Sequence, residues 1–213
     1  AWLVIFSLYI MGILIGAVSG LIFSKTVLKG QNPPFVLELP PYRMPSLKSV
    51  FRHMSEKAKD FAVRAGTVLL LVSIIIWLFE NLNFNLRIVS DSRNSILGVL
   101  GNIIAPVFKP CGFGTPEAAI SLLSGVAAKE AVVSTLAILA HKDPSFAVSA
   151  HFSPLGGYCF LVFVLLYVPC AAALAALRTE LNSRRLLAFS VCWQLFAAWC
   201  VSALIYQSAS LFL

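Results

Sequence analysis

Apolar residues run from Trp2 to Phe23 almost without interruption, and Gly12, Gly16 and Gly20 recur within that run every four residues. About 20 such residues, each rising about 1.5 Å, cross a hydrocarbon core, so residues 1–28 are expected to form a transmembrane helix. Its glycine stripe serves close helix contact or lines a pathway, and Lys25 and Lys29 mark a cytoplasmic end. The five prolines between Gln31 and Pro45 exclude a helix, which makes residues 29–45 a cytoplasmic Pro-rich loop with Glu38 and Arg43 as its charged members.

From Ser46, a capping residue, Leu47, Val50, Phe51, Met54, Ala58 and Phe61 keep a helical period opposite Lys48, Arg52, Glu56, Lys57 and Lys59. Such a basic amphipathic helix is expected in the cytoplasmic interface, held by apolar contact and anionic lipid, with protein docking as the alternative use of that face. His53 is a solvated interfacial residue or a ligand. No breaker intervenes before the Val-, Leu- and Ile-rich stretch Phe61–Leu82, so residues 46–82 read as an interfacial helix leading into a second span. Arg64 snorkels to the inner interface and Trp77 joins the outer aromatic belt.

Ser95–Phe108 is apolar but only about 21 Å long as a helix, short of the roughly 30 Å core. It is expected to be a half-helix or a strongly tilted one, followed by irregular backbone in PVFKPCGFGTP. Such backbone survives at membrane depth only inside protein or beside a wet cavity, and a short broken helix often points to a transport site. Pro116–Ala140 then reads as one mostly apolar helix carrying Lys129 and Glu130 near its middle. A charge there costs about 2.5–3.5 kcal/mol on insertion scales, so it is paired, wetted or functional. Glu117, Ser121, Ser124, Ala128, Ala131 and Thr135 share a narrow stripe from which Lys129 and Glu130 point away. Either that stripe packs on a neighbour while the charges face elsewhere, or the helix loosens near Gly125. Residues 95–140 together return the chain to the outside.

His141, Asp143 and His151 lie in a short external connection, a polar loop or a cation-attracting mouth. Residues 154–213 hold two further spans, Leu155–Leu177 and Leu186–Gln207, joined by the cytoplasmic turn RTELNSRR. Pro169 cannot donate to the carbonyl of Leu165, so the first of them is expected to kink and leave a free carbonyl beside the Cys170 thiol. Sulfur plus oxygen suits a transition metal rather than an alkali ion; the alternative is a kink with a buried structural cysteine. In the last span only Gln194 is polar enough for ion handling.

Composition agrees: 59% of the 213 residues are hydrophobic and 12% charged, with mean hydropathy +0.89, against about 25% charged in soluble domains. The fold class is therefore an all-α polytopic membrane helix bundle with an interfacial amphipathic helix and a short broken or re-entrant helix. The net charge of +7 sits at span ends, with eight of the sixteen Lys and Arg between Lys25 and Arg64. That is the positive-inside pattern and excludes nucleic acid as partner. Cys111, Cys159, Cys170, Cys192 and Cys200 show neither a CxxC pair nor zinc spacing. The first residues carry no Met, basic n-region or cleavage site, so they are expected to be a span within a longer chain.

Four ordered blocks, PFVLELPPYRMP, KDFAVRAGTVLLLVSIIIW, SGVAAKEAVVSTLA and FVLLYVPCAAALAAL, together resemble the membrane portion of the FeoB ferrous iron transporter family. The likeness covers nearly the whole chain and implies a Gate-type fold, including the second Gate repeat, that moves Fe²⁺ inward across the bacterial cytoplasmic (inner) membrane. It implies Cys170, on the family's Pro–Cys motif, and Glu130, on its Ala–Lys–Glu motif, as metal contacts along the path, with Lys129 as charge partner or gate. Cys111, Ser124 and Thr135 rank lower.

Complete family members carry an N-terminal GTP-binding domain and a first Gate repeat, and often a further terminal span. No GxxxxGK[ST] loop occurs here, so the chain itself is not expected to be an enzyme, and GTP and Mg²⁺ belong with the missing domain. No cofactor is expected in this chain, with Fe²⁺ its transported substrate. The implied partners are the lipid bilayer, the missing domain and repeat, a small soluble Feo protein and further copies of the chain. The rival readings are a nucleoside or other small-solute permease on the same architecture and a non-transporting membrane scaffold.

Overall fold

The computed structural model describes residues 2–26, 44, 46–85, 87–89, 94–140 and 152–211, apart from the side chains of residues 64, 65 and 140. Most of the Pro-rich loop and His141, Asp143 and His151 lie outside the described residues. Two compact units, Ala1–Ala62 and Val63–Leu213, meet inside a helix.

The first unit holds α1 (Trp2–Thr26), which buries no residue, and the start of α2 (Leu47–Asn81). Ser46 begins α2 as expected, its Oγ accepting from the Ser49 amide at 3.3 Å. Arg52 and Glu56, four apart on the polar side, pair at 3.3 Å in the open, a contact worth little to stability. The helix continues unbroken for 35 residues.

The second unit carries the core. Ser95 caps α3 (Ile96–Ile104), accepting from Gly98 at 3.0 Å, and the chain then tightens into a 3-10 helix, Ala105–Cys111, where Pro106 and Pro110 supply no amide donor. Thr115 caps α4 (Pro116–Ser124), which leaves at 106° to the preceding segment, so the expected broken helix is present as a sharply bent pair. After α4 come α5 (Glu130–Ala140), α6 (Pro154–Leu166), α7 (Ala171–Leu181) and α8 (Arg184–Ser210). Among the described residues there is no strand, only one bridge between Leu82 and Ile88. Among the described residues, four helical stretches, with α6 and α7 taken together, are long and apolar enough to cross a membrane, and five if the bent pair is one more span.

Two expectations need correction. Pro116–Ala140 is not one helix but two, separated by turns over residues 125–129, and Leu155–Leu177 is not merely kinked but interrupted by extended backbone from Tyr167 to Cys170. The single stripe from Glu117 to Thr135 therefore ends at Ser124.

The bend between α3 and α4 is clamped. The Trp199 indole donates to the Val107 carbonyl at 2.9 Å, Gln207 donates to Pro110 at 3.1 Å, and the Cys111 thiol donates to the Trp199 carbonyl at 3.7 Å. Gly112 turns the corner at φ 82°, and its missing side chain leaves room for the Tyr206 ring. Behind the bend Phe113 is fully buried, its ring 5.3 Å from Phe108, 5.4 Å from Phe160 and 5.6 Å from Phe163. Such close aromatic contacts supply the packing on which helix association in lipid relies.

Candidate functional site

The two interruptions face each other. Pro169 has no amide hydrogen, so α6 cannot continue past it; its last carbonyls lose their helical donors and the first amides of α7 lose their acceptors. The break over residues 125–129 meets both needs. The Val126 carbonyl accepts from the Ala171 amide at 3.0 Å. From the other side, the Lys129 ammonium donates to the carbonyls of Val164 at 3.0 Å and Leu165 at 3.3 Å. A cation at a helix C-terminus also sits against the negative end of the helix dipole.

Tyr167 completes the seam. Its hydroxyl donates to the Leu122 carbonyl at 3.4 Å, and its ring lies 5.1 Å from the Lys129 nitrogen, close enough for cation–π attraction. Gly125 lies directly under it: a side chain there would run into the Tyr167 hydroxyl and the Val132 methyl. The break at Gly125 thus follows from tertiary contacts. Val126 gives its carbonyl to another helix, and the chain bridges the gap with short bonds from Val126 to Leu123 and from Ala127 to Ser124, each 3.2 Å.

The predicted site residues separate into groups. Lys129 and Cys170 come together here: Cys170 starts α7, its half-buried thiol makes no capping hydrogen bond, and the sulfur lies within electrostatic reach of Lys129 and Tyr167. Glu130 opens α5 next to Lys129 but is exposed, and the two make no ion pair among the described contacts. The Leu165 carbonyl expected to be free beside Cys170 is taken by Lys129. Ser124 ends α4 just before the break, with its buried hydroxyl donating to Ile120 at 3.1 Å. Thr135 is buried further along α5. Cys111 belongs to the clamped bend and is fully buried there.

Among the described residues no three His, Cys, Asp or Glu side chains cluster as a metal cage. The oxygen at the seam comes instead from main-chain carbonyls, which carry no sequence signature of their own. Tyr167 and Gly125 are the side-chain positions that sequence reasoning missed, although the alternative of a loosened helix falls at Gly125.

Two family models match the chain: "Ferrous iron transport protein B C terminus" over residues 5–57 and "Gate: Nucleoside recognition" over residues 62–184. The Fe(2+) transporter FeoB of Staphylococcus aureus (strain COL) is 36% identical over 218 residues, covering 99% of this chain and 32% of that protein. The Escherichia coli (strain K12) Fe(2+) transporter FeoB is 31% identical, covering 98% of this chain and 34% of its own length. A Porphyromonas gingivalis protein named as a fusion of Fe(2+) transport protein A with Fe(2+) transporter FeoB is 33% identical over the whole of this chain and 31% of its own. The chain thus spans about a third of the length of these relatives. No solved structure matches it.

Proposed function

This chain belongs to the Gate family and, within it, to the FeoB-type proteins, and from that premise we propose that it is the membrane portion of a ferrous iron importer of the bacterial inner membrane. The observation that carries the reading is the seam between two broken helices, where a cation, the Lys129 ammonium, already rests on helix-end carbonyls beside a thiol. Discontinuous helices whose carbonyl ends hold cations are the recurring device of ion-coupled transporters.

Hydrated Fe²⁺ approaches from the external side and exchanges part of its water for the Cys170 sulfur, the Glu130 carboxylate and the carbonyls of Val164 and Leu165. An arriving dication repels the ammonium and competes for the same oxygens, so Lys129 withdraws and the seam loosens. Few ligands and no closed cage suit an ion that must leave again. Ser124 and Thr135, both buried on the broken pair, contribute to the walls rather than to the first contacts, and Cys111 stays with the scaffold. GTP and Mg²⁺ act on the missing N-terminal domain, whose state reaches the gate through cytoplasmic segments such as the start of α2. The fused relative supports a small Feo protein as a further partner.

The test is Fe²⁺ uptake by proteoliposomes holding the complete transporter with Cys170→Ser or Glu130→Gln. Each substitution is expected to lower uptake about tenfold or more, the loss of a charge-assisted contact. Unchanged flux in both would overturn the assignment. Fe²⁺ flux suppressed by added nucleosides, with nucleoside accumulating inside, would favour the small-solute permease.

A further inference from the structure

Among the described residues, one buried side-chain polar atom has no hydrogen-bond partner, the amide oxygen of Gln194 on α8. Leaving such an acceptor unmade is costly, so a buried amide oxygen with no donor calls for a reason. Its position supplies one. Val191 and Ala198, three before and four after it, pack into the cluster that contains Tyr167 and Val168, so Gln194 lies on the same face of α8.

Its height along the bundle follows from a second contact. The Ser202 hydroxyl donates to the Cys159 carbonyl at 3.3 Å, which fixes where α8 lies beside α6. The chain reverses between α7 and α8, so eight residues back from Ser202 and eight residues on from Cys159 climb the same distance, about 12 Å. Those steps end at Gln194 and at Tyr167, the first residue of the α6–α7 break.

We infer that Gln194 is an ion-contacting residue of the transport path, its amide oxygen taking one position around the divalent cation, or accepting from one of its waters, as the ion passes the Tyr167–Cys170 break. This rests on the iron-import reading above. A neutral amide suits that role, because it adds a hard oxygen to the soft Cys170 sulfur without adding a charge that would trap a dication. It also stands on the rigid helix that clamps the α3–α4 bend, so its position holds while the seam moves.

The test uses the complete transporter in proteoliposomes, with Fe²⁺ uptake measured over a concentration series and thermal unfolding measured on the same preparations. Gln194→Leu removes the orphaned acceptor and is expected to leave the midpoint unchanged or higher while raising KM about tenfold, the loss of one oxygen contact to a charged group. Gln194→Glu keeps the shape and adds a charge, so KM should fall and maximal rate should fall with it as release slows. It also covers the case in which Gln194→Leu does not fold. Unchanged KM in the folded variants, with wild-type uptake intact, would overturn the Gln194 assignment alone. A lower midpoint in Gln194→Leu with unchanged KM would make the amide purely structural. Wild-type protein that moves no Fe²⁺ would overturn the import reading itself, and this one with it.

Discussion

The Lys129 ammonium occupies two carbonyls at the end of α6, one of them that of Leu165, to which Pro169 has no amide to offer, so its removal has a defined consequence. Lys129→Met keeps the length of the side chain and strips its donors, leaving Val164 and Leu165 without partners at the end of α6. An acceptor left unmade away from water costs about 1–3 kcal/mol, which weighs on the part-buried Val164 carbonyl more than on the exposed Leu165 one, and part of it is returned because the methionine no longer brings a charge into the membrane interior. The expected result is a lower thermal midpoint in detergent for Lys129→Met and a smaller loss for Lys129→Arg, which still donates; equal midpoints for all three proteins would remove the ammonium from the seam. Little of this is legible in the sequence. Lys129 and Glu130 are adjacent, and on a helix adjacent side chains diverge by about 100°, which disfavours a pair between them and leaves a partner elsewhere. That partner is a pair of main-chain oxygens 35 and 36 residues away. Main-chain carbonyls look the same in every residue, and only Pro169 hints at which one is left over.

At the scale of elements, the two interruptions have different origins. Pro169 breaks its helix wherever it is placed, which is why the disturbance at Leu165 is legible from the sequence. Residues 125–129 contain no proline, and Gly125 alone does not oblige a helix to end; there the Val126 carbonyl bonds to Ala171 and the Tyr167 hydroxyl fills the space over Gly125. A methyl at position 125 therefore collides with the Tyr167 oxygen and the Val132 side chain, overpacking that costs about 1–3 kcal/mol. Gly125→Ala should lower the unfolding midpoint, and Tyr167→Phe, which deletes that oxygen, should restore part of the loss in the double variant. A double-mutant cycle reads this as a coupling of about 1 kcal/mol. Additive effects would mean that the two residues do not touch. The bent α3–α4 pair, by contrast, is legible in its prolines and its length, but its role is not. It is bonded to α8 at Val107, Pro110 and Cys111, which ties the bend to that helix.

For the whole molecule, the lengths of the broken helices decide how many times the Val63–Leu213 unit crosses the membrane. Helix α5 has 11 residues, about 16 Å, well short of a core of roughly 30 Å by itself. In series with the nine residues of α4 it would come to about 30 Å, so α4 and α5 are expected to form one interrupted crossing. The α3 helix with its 3-10 extension is then the crossing before it, in the opposite direction. With α6–α7 as the third, the polar turn after α2 and the turn before α8 lie on opposite faces, and Arg178, Arg184 and Arg185 put the latter inside. If instead α3 and α4 formed a loop that enters and leaves by one face, with α5 crossing alone, the count would be two and both turns would share a side. An exposed position in the turn after α2 and one at the end of α7 decide between these arrangements. In protein whose native cysteines are replaced by serine, Asn85→Cys is expected to react with an impermeant maleimide added outside intact cells. Glu180→Cys is expected to react only after the inner membrane is opened. Labelling of both from the same side would show that α5 crosses alone, and the seam would then lie near one face of the membrane instead of at its middle.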